Sequence, residues 1–318
     1  MGDGKQSVVK GGLHKMTKEQ KKRSNLREEG PGYRVFTVFN TIFLLIVIFV
    51  TAYPVWYVLI ASVSDPTAMA ENYGLMWLPR FPISFEAYRM VFVNPLVLSG
   101  YCNTIFILVV GLIFNMVFTC LGAYVMSLRD SMFRRPISIF IIFTMYFSGG
   151  IVPTYLNVQS LGLMNSLWSL ILPVAINTYN MLILRSAFMA IPDSLIEVAR
   201  LDGASHLRIL TRIFIPLSGA TLAVMVLYYA VGHWNSWFYA MLYIQTPERY
   251  PLQVVLRQIL LLNKNTSVQA SLSDTSAALL AELIKYALIV VSTAPILILY
   301  PFLQKFFTKG VMVGAIKG

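Results

Sequence analysis

Residues Ile191–Pro216, IPDSLIEVARLDGASHLRILTRIFIP, are the longest polar interruption between strongly apolar segments in the second half of the chain. The pattern is helical. Ser194 and Glu197 have the spacing of a capping box, and Pro192 and Asp193 suit a helix start. Leu195, Val198 and Ala199 fall at i, i+3 and i+4 on one face. Gly203 tolerates positive φ and ends that helix. Ser205 caps a second helix with Leu207, Leu210 and Phe214 on one side and Arg208 and Arg212 on another, and Pro216 stops it. The stretch predicts two short helices around a glycine turn, lying at a membrane surface with polar groups facing something outside the lipid. An ordinary amphipathic interfacial loop shares this pattern.

The segments on either side are those of an integral membrane protein. The chain has 318 residues, 57% of them hydrophobic and 12% charged, with a mean hydropathy of +0.67. The expected fold is all-α and polytopic, with six transmembrane helices. They are placed at about Val35–Ala61, Tyr101–Leu128, Ile137–Val158, Ser166–Ala190, Leu217–Ile244 and Ala277–Phe302. Pro54, Pro153, Pro173 and Pro295 fall in or near spans and predict kinks, and Gly149-Gly150 marks the weakest helix interior. Residues 1–33 form a basic tail too polar for a core, and the apolar run after it is too long for a cleaved signal. The two outer loops, 62–100 and 245–276, differ in character. The first carries Trp77, Phe81 and Phe85, which either form an outer aromatic belt or touch an external partner; the second is polar around Asn263–Ser267.

The net charge of +11 raises nucleic acid as a partner, but its distribution argues for orientation instead. With the amino terminus inside, 19 of the 25 Lys and Arg fall on the cytoplasmic side. Both termini and Ile191–Pro216 are then cytoplasmic. Cys102 and Cys120 lie on one predicted helix, roughly 27 Å apart at 1.5 Å per residue, too far for a disulfide.

Catalytic signatures are absent. There is no phosphate-cradling G-x-x-x-x-G-K-[ST], no G-x-S-x-G, no H-E-x-x-H and no metal-spaced Cys/His cluster. No catalytic or metal residue is assigned. Polar groups inside the spans carry the remaining signal, because lipid leaves them unsatisfied unless paired or wetted. Asn177 and Asn180 sit three apart on one face of the fourth span, near the midplane. Tyr228 and Tyr229 sit near mid-depth in the fifth, with His233 and Trp234 further out. Asn103, Thr104 and Asn115 lie in the second span. An interhelical hydrogen bond is the simpler role for any one amide. Together, amides and aromatics on facing helices suit sugars, through directed bonds to hydroxyls and aromatic cover for C–H faces. Asn177, Asn180, Tyr228, Tyr229, His233 and Trp234 are therefore the candidate substrate path. Glu282 and Lys285 are spaced to pair in the last span. The lack of an evident unpaired midplane carboxylate argues against a proton- or sodium-driven carrier.

Glu197-Val198-Ala199-Arg200-Leu201-Asp202-Gly203-Ala204, followed by Ile213, Pro216 and Leu217, resembles the EAA loop (E-A-A-x-x-D-G-A, then I-x-x-P-L) of permease subunits of binding-protein-dependent ABC importers. Val198 stands where the family usually has its middle alanine. The ending Tyr300-Pro301-Phe302-Leu303-Gln304, with Phe306, Phe307, Gly310, Gly314 and Lys317-Gly318, is similar to the carboxyl-terminal signature of the maltose and oligosaccharide class. Tyr53-Pro54 with Ser62 also resembles that class, and within it Tyr229–Trp237 and Tyr250–Gln253 resemble a branch linked to complex polysaccharide fragments, including uronate-bearing ones. The resemblance implies a type I ABC importer transmembrane domain over residues 34–304, a coupling loop at 191–216 and a cytoplasmic tail at 305–318. It implies that Glu197, Ala199, Asp202, Gly203, Ala204 and Pro216 couple to the ATPase. The implied complex sits in the bacterial cytoplasmic membrane. It holds a second, different permease, two ATPase subunits that carry the ATP and Mg, and an extracellular or periplasmic solute-binding protein. No cofactor is expected on this chain. The same machine serving a small saccharide or glycerol phosphate, and a stand-alone secondary transporter, are the rival readings.

Overall fold

The computed structural model describes residues 31–71, 74–129, 132, 134–270 and 283–298. Most of the basic tail, Glu282 and the carboxyl-terminal signature lie outside them. The regular elements among the described residues are all helical. The chain divides into two units, Met1–Tyr57 and Val58–Gly318. The described part of the first belongs to one helix, α1 (Pro31–Ala61), with Pro54 inside it. Thirty-one residues rise about 46 Å, more than the roughly 30 Å of a hydrocarbon core. Thr41 and Thr51 return their hydroxyls to the carbonyls of Thr37 and Val47, so neither needs an outside partner.

The second unit opens with two short helices, α2 (Pro66–Glu71) and α3 (Glu86–Val93). Asp65 starts α2 by accepting from the Thr67 hydroxyl and from the Thr67 and Ala68 N–H groups, which together hold its carboxyl below the usual carboxylate range.

Helix α4 (Pro95–Ser127) is the post on which the unit is built. Gly100, Gly111 and Gly122 recur every 11 residues, three helical turns, and so lie along one face. A Cβ at Gly100 would meet the Leu252 backbone at 3.1 Å, one at Gly111 the His233 ring at 2.6 Å, and one at Gly122 the Met181 sulfur at 2.6 Å. Three neighbours thus approach α4 closely at three depths, as small residues permit in lipid.

The remaining predicted spans are interrupted. The third is α5 (Arg134–Tyr146) and α6 (Ile151–Ser160), bent by 112° at the glycine pair, with Gly150 at φ +87°. The fourth is two 3₁₀ turns, Leu167–Leu170 and Leu172–Val174, followed after a break by α7 (Thr178–Met189), bent by 47°. Pro173 has no N–H to donate and its ring crowds the Ser169 carbonyl, which weakens a continuous helix at this point. After α8 (Asp193–Leu201) and α9 (His206–Leu217), the fifth is α10 (Gly219–Trp234), at 87° to α9; it ends at Trp234 rather than Ile244, and α11 (Phe238–Tyr243) follows. Two helices, α1 and α4, are long and apolar enough to cross a membrane unaided, and the described residues offer up to five spans when each bent pair is one.

The outer loop expected at 245–276 is a helix over most of its length, α12 (Leu252–Ala270). Leu252, Val254, Val255 and Leu256 are buried, and the Thr104 hydroxyl accepts the Leu252 N–H at 2.9 Å. The apolar start of the segment outweighs its polar middle. The sixth predicted span is described only as α13 (Leu283–Ile298).

Gly111→Ala should lower the thermal midpoint of the purified complex. The new methyl has no room beside His233, and overpacking of this kind costs about 1–3 kcal/mol. Gly219→Ala, where nothing lies within 4 Å, should leave the midpoint unchanged or raise it.

Candidate functional site

The break in the fourth span frees backbone groups that lipid cannot satisfy. Asn115 on α4, fully buried, supplies the partner. Its Nδ2 donates to the carbonyls of Val174 at 2.7 Å and Ala175 at 3.0 Å. With both amide hydrogens committed, Oδ1 is left to face the His233 ring and accepts from Nε2 at 2.7 Å. His233 therefore carries a proton on Nε2. Across the break, Asn177 caps α7, its Oδ1 accepting the Asn180 N–H at 3.0 Å. One turn below Asn115, Thr119 bonds the Tyr229 hydroxyl at 2.7 Å.

These contacts frame a cavity of about 480 Å³ between the broken fourth span and α10. Five of the six expected path residues line it: Asn177, Asn180, Tyr228, Tyr229 and His233. Trp234 does not. It is buried on the other side of α10, where its indole N–H donates to the Ser292 carbonyl of α13 at 3.2 Å in a core shared with Val97, Leu252 and Leu288. The sixth place is taken by groups that the reading of the sequence left aside, above all Trp237 and Tyr239, with Thr154 from α6. The lining holds amides, hydroxyls and aromatic rings and no carboxylate, which fits neutral hydroxyl-bearing surfaces. Tyr229 contributes its ring more than its hydroxyl, which Thr119 already occupies. Asn103, Thr104 and Asn115 prove to be packing groups. Asn103 Nδ2 donates to the carbonyls of Glu248 at 2.8 Å and Tyr250 at 3.1 Å.

The polar stretch at 191–216 folds as two helices around a glycine turn. The capping box does not form: α8 begins at Asp193, so Ser194 lies inside the helix, and Pro192 holds the cap position without a side-chain bond. Asp193 pairs instead with Arg129 at 2.7 Å, both half-exposed. At the other end Gly203 takes φ +72°, its N–H meets the Arg200 carbonyl at 3.0 Å, and the Ala204 N–H meets the Ala199 carbonyl at 2.9 Å. This pair of bonds is a Schellman cap, and it fixes why residues 203 and 204 are glycine and a small residue. Ser205 then caps α9 through the Arg208 N–H. Pro216 sits within the last turn of α9 rather than ending it; a π-helical turn at Leu210–Phe214 precedes it, and the chain bends at Ser218.

The apolar faces are also rotated from expectation. Leu195 and Val198 point outward, and Leu201 and Leu207 are exposed, while Ile196, Ala199 and Ile209 pack with the expected Leu210 and Phe214 against α4 and α7. Phe214 stands edge-on to Tyr124 of α4 at 5.0 Å and to Phe188 of α7 at 5.1 Å, and the Tyr124 hydroxyl meets His206 Nδ1 at 2.8 Å. Glu197 and Asp202 are exposed, and Ala199, Asp202, Ala204 and Arg208 border a shallow groove.

No family model matches the chain. Protein LplC of Bacillus subtilis is 40% identical over 285 residues, covering 90% of this chain and 96% of that protein. The polygalacturonan/rhamnogalacturonan transport system permease protein YtcP of the same organism is 38% identical over 285 residues, covering 90% and 99%. Among solved structures, a bacterial ABC transporter involved in the import of the acidic polysaccharide alginate superposes with a TM-score of 0.79 at 33% identity, over 88% of this chain and 99% of the matched one. The chain belongs to the permease subunits of ABC sugar importers. As such a permease it is a transport subunit rather than an enzyme, and an integral protein of the cytoplasmic membrane.

Within the permease, the break in the fourth span depends on Asn115. Asn115→Leu should destabilise the complex by about 1–3 kcal/mol for each carbonyl left without a partner. Thr119→Val removes one hydroxyl pair and should cost about 0.5–1.5 kcal/mol. Thermal unfolding of the two purified variants checks the order.

Proposed function

We propose that this permease carries uronate-bearing oligosaccharides, fragments of plant or algal polysaccharides, and that the cavity between the broken fourth span and α10 is its share of the path. The observation that carries the reading is the convergence of Asn177, Asn180, Tyr228 and His233 on one cavity beside an interrupted helix. Transporters commonly place substrate at such interruptions. The polygalacturonan and alginate transport named for the relatives supports the acidic substrate class. In this reading the permease pairs with a second, different permease, two ATPase subunits holding ATP and Mg, and an external binding protein. Both termini and the 191–216 loop face the cytoplasm, and the chain itself binds no cofactor. The outward Leu195, Val198 and Leu201 with Glu197 and Asp202 form the face offered to the ATPase, and Ala199, Gly203, Ala204 and Pro216 set its shape.

Cysteine labelling tests the path. In a background with Cys102 and Cys120 replaced, cysteines at 177 and 180 should react with an outside reagent in one nucleotide state and be protected in another. If both stay unreactive in every state, the amides belong to the packing and the path lies elsewhere.

Gly203→Val tests the loop. A Cβ there meets nothing within 4 Å, so the effect is backbone strain alone, about 1–3 kcal/mol for a β-branched residue at positive φ. The complex should assemble, with ATPase activity that the loaded binding protein no longer stimulates. Normal transport and stimulation in this variant would show that the loop is not the coupler.

A further inference from the structure

Arg257 lies on α12, half-buried, and pairs with no carboxylate among the described residues. Its guanidinium lies instead over the Trp237 indole, 3.7 Å from the ring centroid. Stacking of this kind holds the guanidinium flat and leaves the N–H donors around its rim unengaged. Gln253, one helical turn earlier on the same face, borders the same recess of about 250 Å³, whose remaining walls include Ser292 and the apolar Leu256, Leu260 and Leu288. Trp237 also lines the larger cavity, so a single ring is wall to both spaces.

A half-buried guanidinium bordered by Leu256, Leu260 and Leu288 gives up part of its hydration, and an anionic partner would restore what is lost. The partner must be anionic, planar enough to use two rim donors at once, and able to lie against an aromatic ring. A carboxylate on a sugar ring meets all three conditions. The lining of the large cavity holds no Lys, Arg, Asp or Glu, so it presents no permanent charge to a carboxylate.

We propose that Arg257, Gln253 and Trp237 form a carboxylate-reading subsite beside the main cavity. Arg257 takes a uronate carboxylate in a two-pronged hydrogen bond, Gln253 bonds a neighbouring hydroxyl, and the exposed part of Trp237 covers the C–H face of the ring. The inference rests on the oligosaccharide reading above and narrows it: these three residues set the preference for acidic over neutral substrate.

The test uses the whole importer in proteoliposomes with its binding protein, supplied with digalacturonate and, separately, its dimethyl ester. The quantity read is the ratio of acid to ester import in each variant relative to the unmodified complex. Arg257→Gln should lower that ratio about tenfold or more, the loss expected when a hydrogen-bonded charge pair is removed. Arg257→Lys, which keeps the charge but not the planar fork, should fall between. A parallel fall of both substrates, with the ratio unchanged, would mean that Arg257 serves packing or binding-protein docking and would overturn the proposal. A ratio unchanged with both rates intact would overturn it as well. If the unmodified complex imports neither compound, the substrate reading itself fails and the subsite falls with it. If the unmodified complex imports both equally well, the sugar reading stands and the subsite alone is refuted.

Discussion

One carboxamide reconciles the broken fourth span with the lipid around it. A helix crossing hydrocarbon satisfies its own backbone, and a break exposes carbonyls for which lipid has no donor. Asn115 meets two of them, Val174 and Ala175, and its oxygen then has one direction left, toward His233. Gly111, one turn above, lets the imidazole come that close. The position of α10, the orientation of His233 and the opening between α10 and α7 all follow from this one side chain. The cavity exists because the span is interrupted, and the interruption is tolerated because Asn115 is there.

The polar residues of the spans therefore sort into two kinds with different energetic stakes. Those on α4 are partners of backbone or of another helix: Thr104, Asn115 and Thr119 are buried and Asn103 is partly exposed, and the stakes are highest at Asn115, whose removal strands two carbonyls at about 1–3 kcal/mol each. Those lining the cavity, Asn177, Tyr228 and His233, border open space, where a hydrogen bond to a solute would be worth about 0.5–1.5 kcal/mol. A polar residue in a membrane helix is thus a poor guide to transport until its neighbour is known.

Much of this was legible beforehand. Gly203 and Ser205 were readable because local geometry decides them: a glycine at the end of a periodic run and a serine before a helix. The failures are those of one-dimensional reading. Ser194 and Glu197 have capping-box spacing, but Asp193 enters the helix and pairs with Arg129, so the cap moves upstream. Trp234 and Trp237 look alike in sequence, yet one is locked to Ser292 and the other borders the cavity. Which face of α10 meets α13 is a tertiary fact with no local signature. The same holds for α12, whose polar middle masks an apolar start that packs on Gly100.

The link between loop and cavity is short. α7 holds Asn177 and Asn180 at its first turn and Phe188 near its last, and Phe188 packs edge-on against Phe214 of the loop. Twelve residues of helix span about 18 Å, too short to bend appreciably. Any displacement of the loop therefore reaches the cavity wall through α7 as a rigid lever. At its other end the helix meets the break at residues 175–177, where Asn115 holds the Val174 and Ala175 carbonyls and Asn177 caps α7. The parallel route through α10 is different, because Ser218 puts a right-angle bend between the loop and that helix. Both walls rest on α4, α7 through Met181 at Gly122 and α10 through His233 at Gly111. Asn115 of α4 bonds both walls, so any relative motion of the two would strain its three hydrogen bonds first.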